Sequence, residues 1–290
     1  MDQTNSSKKL LAVETATFEV GVALADGGEI LGAASRPAEN RHAEELFCLT
    51  EELLSVAGLS LRDLDAFAVD VGPGLFTGLR VGVSAVNALA YGLGRPVVAV
   101  SGTAVLREAL ARECFAAVPG TFYLPVPVLD VRRGEVAFDL RGPLLSGAGH
   151  ILSGETESDG GEVGAPGLDT PINFCRGLAD FVGRAIRSDI SDTTFPGGQV
   201  GLCLVLAGSG AYRYREILQN ALTDLLGEYK NVTFFFRDGL DVPPVSVLAE
   251  LAYSRFISGD HLFGDCFQKP LYLREADAKV GAWKDAKLGK

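Results

Sequence analysis

Three short apolar runs open the chain. Leu10–Glu14, Glu19–Ala25 and Glu29–Ser35 read as strands, and the Asp26-Gly27-Gly28 between the last two suits a tight hairpin, because glycine tolerates the positive φ such turns need. Apolar spacing near 3.6 then predicts a helix over Arg41–Ala57, with Asn40 as its N-cap, Glu44 and Glu45 in its first turn and Gly58 as its stop. A strand over Ala66–Val71 leads to a second helix, Thr77–Leu93, capped by Thr77 and closed by Gly94 and Pro96. Pro96–Val100 has the β-branched, apolar character of a buried parallel strand, and Gly102–Cys114 returns to helical spacing.

A weaker version of the same order follows. Tyr123–Val131 and Glu135–Leu140 flank Arg132-Arg133-Gly134 as a hairpin. A helix over Pro171–Ile186, a strand over Val200–Ala207, a helix after Gly210, a strand over Val232–Phe235 and a helix from Pro244 complete it. The pattern predicts an α/β protein with a βββαβαβα unit used twice, divided into residues 1–106 and 107–290. The second unit is reduced and carries surface insertions near 141–171 and 188–199, where Gly, Ser, Asp and Thr dominate. This duplicated order resembles the actin/Hsp70/sugar-kinase (ASKHA) superfamily, in which two such halves face each other across a nucleotide cleft.

Composition changes the picture in three ways. The 47% hydrophobic content of 290 residues is enough for a sizeable core. The net charge of −11 denies the chain a general positive field for nucleic acid, so any RNA contact must be local or supplied by a partner. Five scattered cysteines (Cys48, Cys114, Cys175, Cys203, Cys266) read as reduced core thiols of a cytoplasmic protein, with no signal-peptide core at the polar N-terminus and no run long enough for a membrane span. His42, His150 and His261 are too dispersed for a zinc motif, so no metal ligand is assigned.

Candidate chemistry is sparse. Glu14 and Asp130 end the corresponding first strands of the two halves, where a two-lobed fold would aim both carboxylates at the cleft to hold hydrated Mg²⁺ beside phosphates; the competing reading is that each is the polar stop of a buried strand. Gly208-Ser209-Gly210 repeats the strand-glycine-helix punctuation and is a candidate to line the same cleft. The loop from Gly72 to Arg80 has GxGxxxG spacing without a following Gly-Lys-Ser/Thr, which favours a structural strand-to-helix turn over a phosphate loop. Arg132, Arg133, Arg213 and Arg215 are the tight basic clusters of the body of the chain, suited to phosphate or carboxylate groups. Both early helices have over-wide apolar arcs, and the second adds a side of small residues (Gly78, Gly82, Ala85, Ala88, Gly92), a combination that suggests a protein–protein surface; the competing reading is that the two helices only pack on each other and on the sheet.

Taken together, Leu11-Ala12-Val13-Glu14-Thr15-Ala16-Thr17, Arg41-His42-Ala43-Glu44, Gly72-Pro73-Gly74-Leu75-Phe76-Thr77-Gly78-Leu79-Arg80, Asp130-Val131-Arg132-Arg133-Gly134 and Pro270-Leu271-Tyr272-Leu273-Arg274 resemble the TsaB (YeaZ) family of tRNA threonylcarbamoyladenosine biosynthesis. The resemblance implies a scaffold or activator without catalysis of its own, pairing with a TsaD-type transferase, joined by a TsaE-type ATPase and meeting tRNA through the complex. A third reading, apart from the resemblance, is a self-associating homodimer built on the same helices when no partner is present. The His-x3-His metal pair of TsaD is interrupted here, because Leu46 stands where the second histidine would be. The resemblance places the partner interface on Leu46, Leu49, Gly78, Gly82, Ala85 and Leu89. It leaves catalytic residues unassigned, and makes ATP or ADP and Mg²⁺ ligands of the complex, with Glu14, Asp130 and Gly208 as this chain's cofactor-site candidates. The family usually has Ser where this chain has Leu75 and Asp where it has Glu14. The alternative reading is a nucleotide- and Mg-dependent phosphotransferase or metalloprotease.

Overall fold

In the computed structural model, residues 7–38, 40–114, 121–140, 144–146, 151–152, 166–187, 201–263 and 267–273 are described. β1 (Lys9–Glu14), β2 (Glu19–Asp26) and β3 (Glu29–Pro37) form an antiparallel meander. On its other edge β1 pairs in parallel with β4 (Ala66–Asp70), and β4 with β5 (Val97–Val100), giving the order β3-β2-β1-β4-β5. Both faces of β1 and β4 are buried, which explains their continuous rather than alternating apolar pattern. On one face α1 (His42–Ala57) and α2 (Phe76–Leu93) close over Leu11, Val13, Val22 and Phe67. Gly58 and Gly94 end these helices in the left-handed conformation (φ 67° and 61°) and donate their N–H groups back to the last turn.

The second sheet repeats the plan. β6 (Thr121–Asp130) pairs with antiparallel β7 (Val136–Phe138), whose other edge takes β10 (Gly167–Asp169). On the far side β6 pairs in parallel with β11 (Gly201–Ala207), and β11 with β12 (Val232–Phe236). The order β10-β7-β6-β11-β12 mirrors that of the first sheet. A small hairpin of β8 (Leu144–Ser146) and β9 (Ile151–Leu152) is added along β6. This is the duplicated, actin-like architecture that the element order predicts. α4 (Pro171–Ala185) and α6 (Arg215–Leu226) seal one face through Phe174, Leu178, Leu218 and Leu222, with short α5 (Ser209–Arg213) leading into α6.

Each half lends a helix to the other. α3 (Gly102–Cys114) follows β5, yet its Leu110 packs with Tyr123, Cys203 and Val205 of the second sheet. α7 (Val245–Ser258) follows β12, yet Leu248, Ala249 and Ala252 cover Leu10, Ala12 and Ala68 of the first. α3 and α7 thereby remove from water the central sheet residues that each lobe's own helices leave open. The expected division between residues 106 and 107 falls inside α3.

Some local expectations change. Asn40 does not cap α1; it sits at φ 69° while Arg41 occupies the cap position without a side-chain bond. α2 starts one residue earlier than Thr77, with Leu75 before it. Strands β8, β9 and β10 fall inside a stretch expected to be insertion, because two- and three-residue apolar runs among glycines carry too little periodicity to show. Most of the two expected insertions, and Val200, lie outside the described residues.

Candidate docking face and interlobe cleft

Parallel pairing sets Val13 beside Val69, so the residues that follow them, Glu14 and Asp70, end adjacent strands side by side. Both are buried, Glu14 at 3% exposure and Asp70 at 0%. Glu14 Oε1 accepts the Ala16 N–H at 3.0 Å and Asp70 Oδ1 accepts the Gly72 N–H at 2.7 Å. Burial pushes the Glu14 carboxyl well above its usual range, and the charge of Asp70 adds to the effect. Burial likewise lifts Asp70 to about 7, against the pull of the backbone N–H groups. Asp70 Oδ2 has no hydrogen-bond partner and lies against Gly102, the first residue of α3, where a Cβ would stand 2.5 Å from it. Two such carboxyls cannot both ionise cheaply, so burial and mutual repulsion favour a protonated pair. The expectation that Glu14 faces Asp130 across a cleft is therefore corrected: the neighbour of Glu14 is Asp70. An aspartate at a strand end gives no sign of this until the strand register is known.

Asp130 ends β6 in different surroundings. Its Oδ1 accepts the Arg132 N–H at 2.9 Å and the Tyr214 hydroxyl at 3.5 Å, its Oδ2 lies 3.4 Å from Arg213, and its own N–H donates to Ser209 Oγ at 3.0 Å. It lines an open cavity of about 940 Å³ with Phe18 from the β1–β2 turn and with Arg132, Tyr212, Arg213 and Arg215 from the second lobe; Glu14 is not in its wall. Gly208 adopts φ 109° and sits where a Cβ would come 2.4 Å from the Val128 carbonyl, so its missing side chain is filled by β6 rather than left open to a ligand. Of the three cofactor-site candidates, only Asp130 reaches the cavity. Among the described residues no group of three or more His, Cys, Asp or Glu is arranged to hold a metal ion.

The glycine-rich loop is also spent internally. A Cβ on Gly74 would stand 2.2 Å from the Ala16 carbonyl oxygen, on Gly78 2.0 Å from that of Thr15, and on Gly82 2.1 Å from Thr15 Oγ1. Leu75 N–H donates to Ala16 O at 2.6 Å and Thr15 Oγ1 donates to Gly78 O at 2.9 Å. His42 is buried at the head of α1 and bonds through Nε2 to the Thr17 carbonyl at 3.0 Å. The small side of α2 thus receives the Thr15–Thr17 turn of its own lobe.

That packing corrects the expected interface. Leu46 and Leu49 are core residues at 2% and 1% exposure, Gly78 and Gly82 are buried, and Ala85 and Leu89 are half-buried against the same cluster. The wide apolar arcs are consumed by the sheet below and by each other. What remains outward is a narrower ridge: Ala43, Phe47 and Cys48 on α1, and Thr77, Ser84 and Ala88 on α2, with Phe47 52% exposed. Cys48 accordingly departs from the expectation of core thiols, whereas Cys175 and Cys203 are buried. Beyond α2 the closing segment forms a strap. Leu271 N–H donates to Val71 O at 2.7 Å, Asn87 exchanges two side-chain bonds with the Gln268 backbone, and the Arg80 guanidinium lies 3.8 Å over the Phe76 ring while donating to Tyr272.

Residues 32–138, which include α1 and α2, match the family model described as TsaD, tRNA N6-adenosine threonylcarbamoyltransferase. The chain is 30% identical over 128 residues to the tRNA threonylcarbamoyladenosine biosynthesis protein TsaB of Escherichia coli, and 35% over 129 residues to that of Haemophilus influenzae; each alignment covers 44% of this chain and 52% of the relative. The solved structure of YeaZ from Pseudomonas aeruginosa superposes with a TM-score of 0.60 at 25% identity, over 92% of this chain and all of that one. The chain is thus similar to TsaB (YeaZ) proteins, over part of its length in sequence and over most of it in fold. In sequence it spans about half the length of the curated TsaB relatives it matches. The chain is also 35% identical over 108 residues to a tRNA N6-adenosine threonylcarbamoyltransferase of Geotalea uraniireducens, covering 32% of each. Among the described residues no helix is long and apolar enough to cross a membrane.

Proposed function

We propose that this chain is the non-catalytic scaffold and activator that pairs with a TsaD-type transferase to make threonylcarbamoyladenosine in tRNA, in the cytoplasm. The observation that carries the reading is that the chain is similar both to TsaB proteins and to the transferases, with residues 32–138, which hold α1 and α2, matching the transferase model. A partner built on the same lobe presents the same helix pair, so the two ridges can meet about a pseudo-two-fold axis, like against like. On this side the ridge combines one exposed aromatic, Phe47, with the small residues Ala43, Ser84 and Ala88, which lets a facing helix approach closely around an anchor. A TsaE-type ATPase joins the pair, tRNA is held chiefly by the assembled complex, and ATP or ADP with Mg²⁺ belongs to that complex. Without a partner the ridge closes on a second copy. The nucleotide- and Mg-dependent enzyme is less well supported, since Glu14 is buried beside Asp70 and His42 is committed to the Thr17 carbonyl.

The test is co-elution of this chain with a TsaD-type transferase, followed by reconstituted tRNA modification. Phe47→Arg is expected to abolish co-elution while shifting stability by less than about 0.5 kcal/mol, as for an exposed position. Unchanged co-elution would reject the ridge, and modification at full rate without this chain would reject the scaffold role.

A further inference from the structure

We infer that the cavity at the β6–β7 turn binds one phosphate-and-base unit of a single-stranded RNA. The two basic clusters are some eighty residues apart in the sequence, and the fold brings Arg132, Arg213 and Arg215 into one wall with Tyr212 and with Phe18 of the other lobe. The arginines are not equivalent. Arg213 is 3.4 Å from Asp130 and Arg215 is 2.5 Å from Asp238, whereas Arg132 forms no ion pair among the described residues and is exposed. Arg132 also sits at φ 67°, a backbone that non-glycine residues seldom adopt, which presents it on a tight turn at the cavity mouth. One free guanidinium suits one phosphate. Tyr212 at 68% and Phe18 at 46% exposure are half-open rings on which a base can stack. The remaining charges in the wall, Glu216 and Asp241, are acceptors of the kind a ribose hydroxyl needs.

The surroundings of the wall argue against a free nucleoside triphosphate. Among the described residues no glycine lines the cavity, and the glycines beside Ser209 that could leave a backbone cradle for a chain of phosphates are filled: Gly208 against Val128, and Gly210 against Val128 and Leu129. A single phosphate flanked by an open aromatic shelf fits a strand that enters and leaves. In a chain of net −11 this is the local site that RNA contact requires. The choice of RNA over another anion rests on the tRNA-modification reading above.

The experiment is fluorescence anisotropy of the full chain with a short labelled single-stranded RNA, with AMP and inorganic phosphate as competitors. Saturable RNA binding is expected, weakened about tenfold or more by Tyr212→Ala. Arg132→Glu is expected to weaken it too and to lower the slope of log K against log salt by about 0.7. Thermal melting verifies that both variants are folded. Absence of RNA binding, binding indifferent to both substitutions, or AMP or phosphate competing at concentrations near the RNA Kd would each overturn the inference. Co-elution reads the other lobe's ridge, so failure here and failure of the scaffold reading are seen separately.

Discussion

Asp70→Asn tests the buried acid pair. Asp70 is fully buried and its carboxyl is pushed from 3.8 to about 7. The folded state therefore holds a proton that the unfolded chain releases between those two values. Because the folded state binds more protons in that window, stability falls as pH rises from about 4 to about 7, and the cost is complete above it. At about 1.4 kcal/mol per unit, the gap corresponds to about 4 kcal/mol at most. Asparagine keeps an acceptor for the Gly72 N–H and removes the Asp70 titration and its charge beside Glu14, leaving only the burial of Glu14 to titrate. Urea denaturation at about pH 5 and about pH 8 is the assay. The natural chain is expected to lose several kcal/mol between the two conditions, and the variant much less, so that the variant is the more stable protein at the higher pH. If both lose stability in parallel, or if the variant is weaker throughout, the pair is not held protonated and the account of the junction between β1, β4 and α3 fails.

Two further predictions concern α2. Gly82→Ala would place a methyl against Thr15 Oγ1, where the available distance is 2.1 Å, and is expected to cost about 1–3 kcal/mol by overpacking, read as a lower melting temperature of the isolated chain. A stability like that of the natural chain would mean the small side of α2 is free, as the sequence alone suggested. Asn87→Ala removes both bonds to the Gln268 backbone and is expected to cost about 1–2 kcal/mol and to raise protease cleavage near residue 268; no change in cleavage would show that the strap is held without it.

The repeating order of elements, and with it the fold, was legible along the chain, because strand and helix periodicities and the glycine stops after α1 and α2 are local properties. The sequence also marked the residue types that matter: Glu14, Asp130, the two arginine clusters and the helices with apolar arcs too wide for one side. Which of those residues meet was decided only by tertiary structure. Glu14 faces Asp70 because two parallel strands stop in register, and register depends on pairing between segments more than fifty residues apart. Leu46, Leu49, Gly78 and Gly82 belong to the interior because a neighbouring helix and the Thr15 turn occupy the space that a one-dimensional pattern leaves unassigned. A helical wheel reports how much of a helix is apolar; only packing says which part is already covered, and for α1 and α2 the uncovered remainder is the ridge around Phe47.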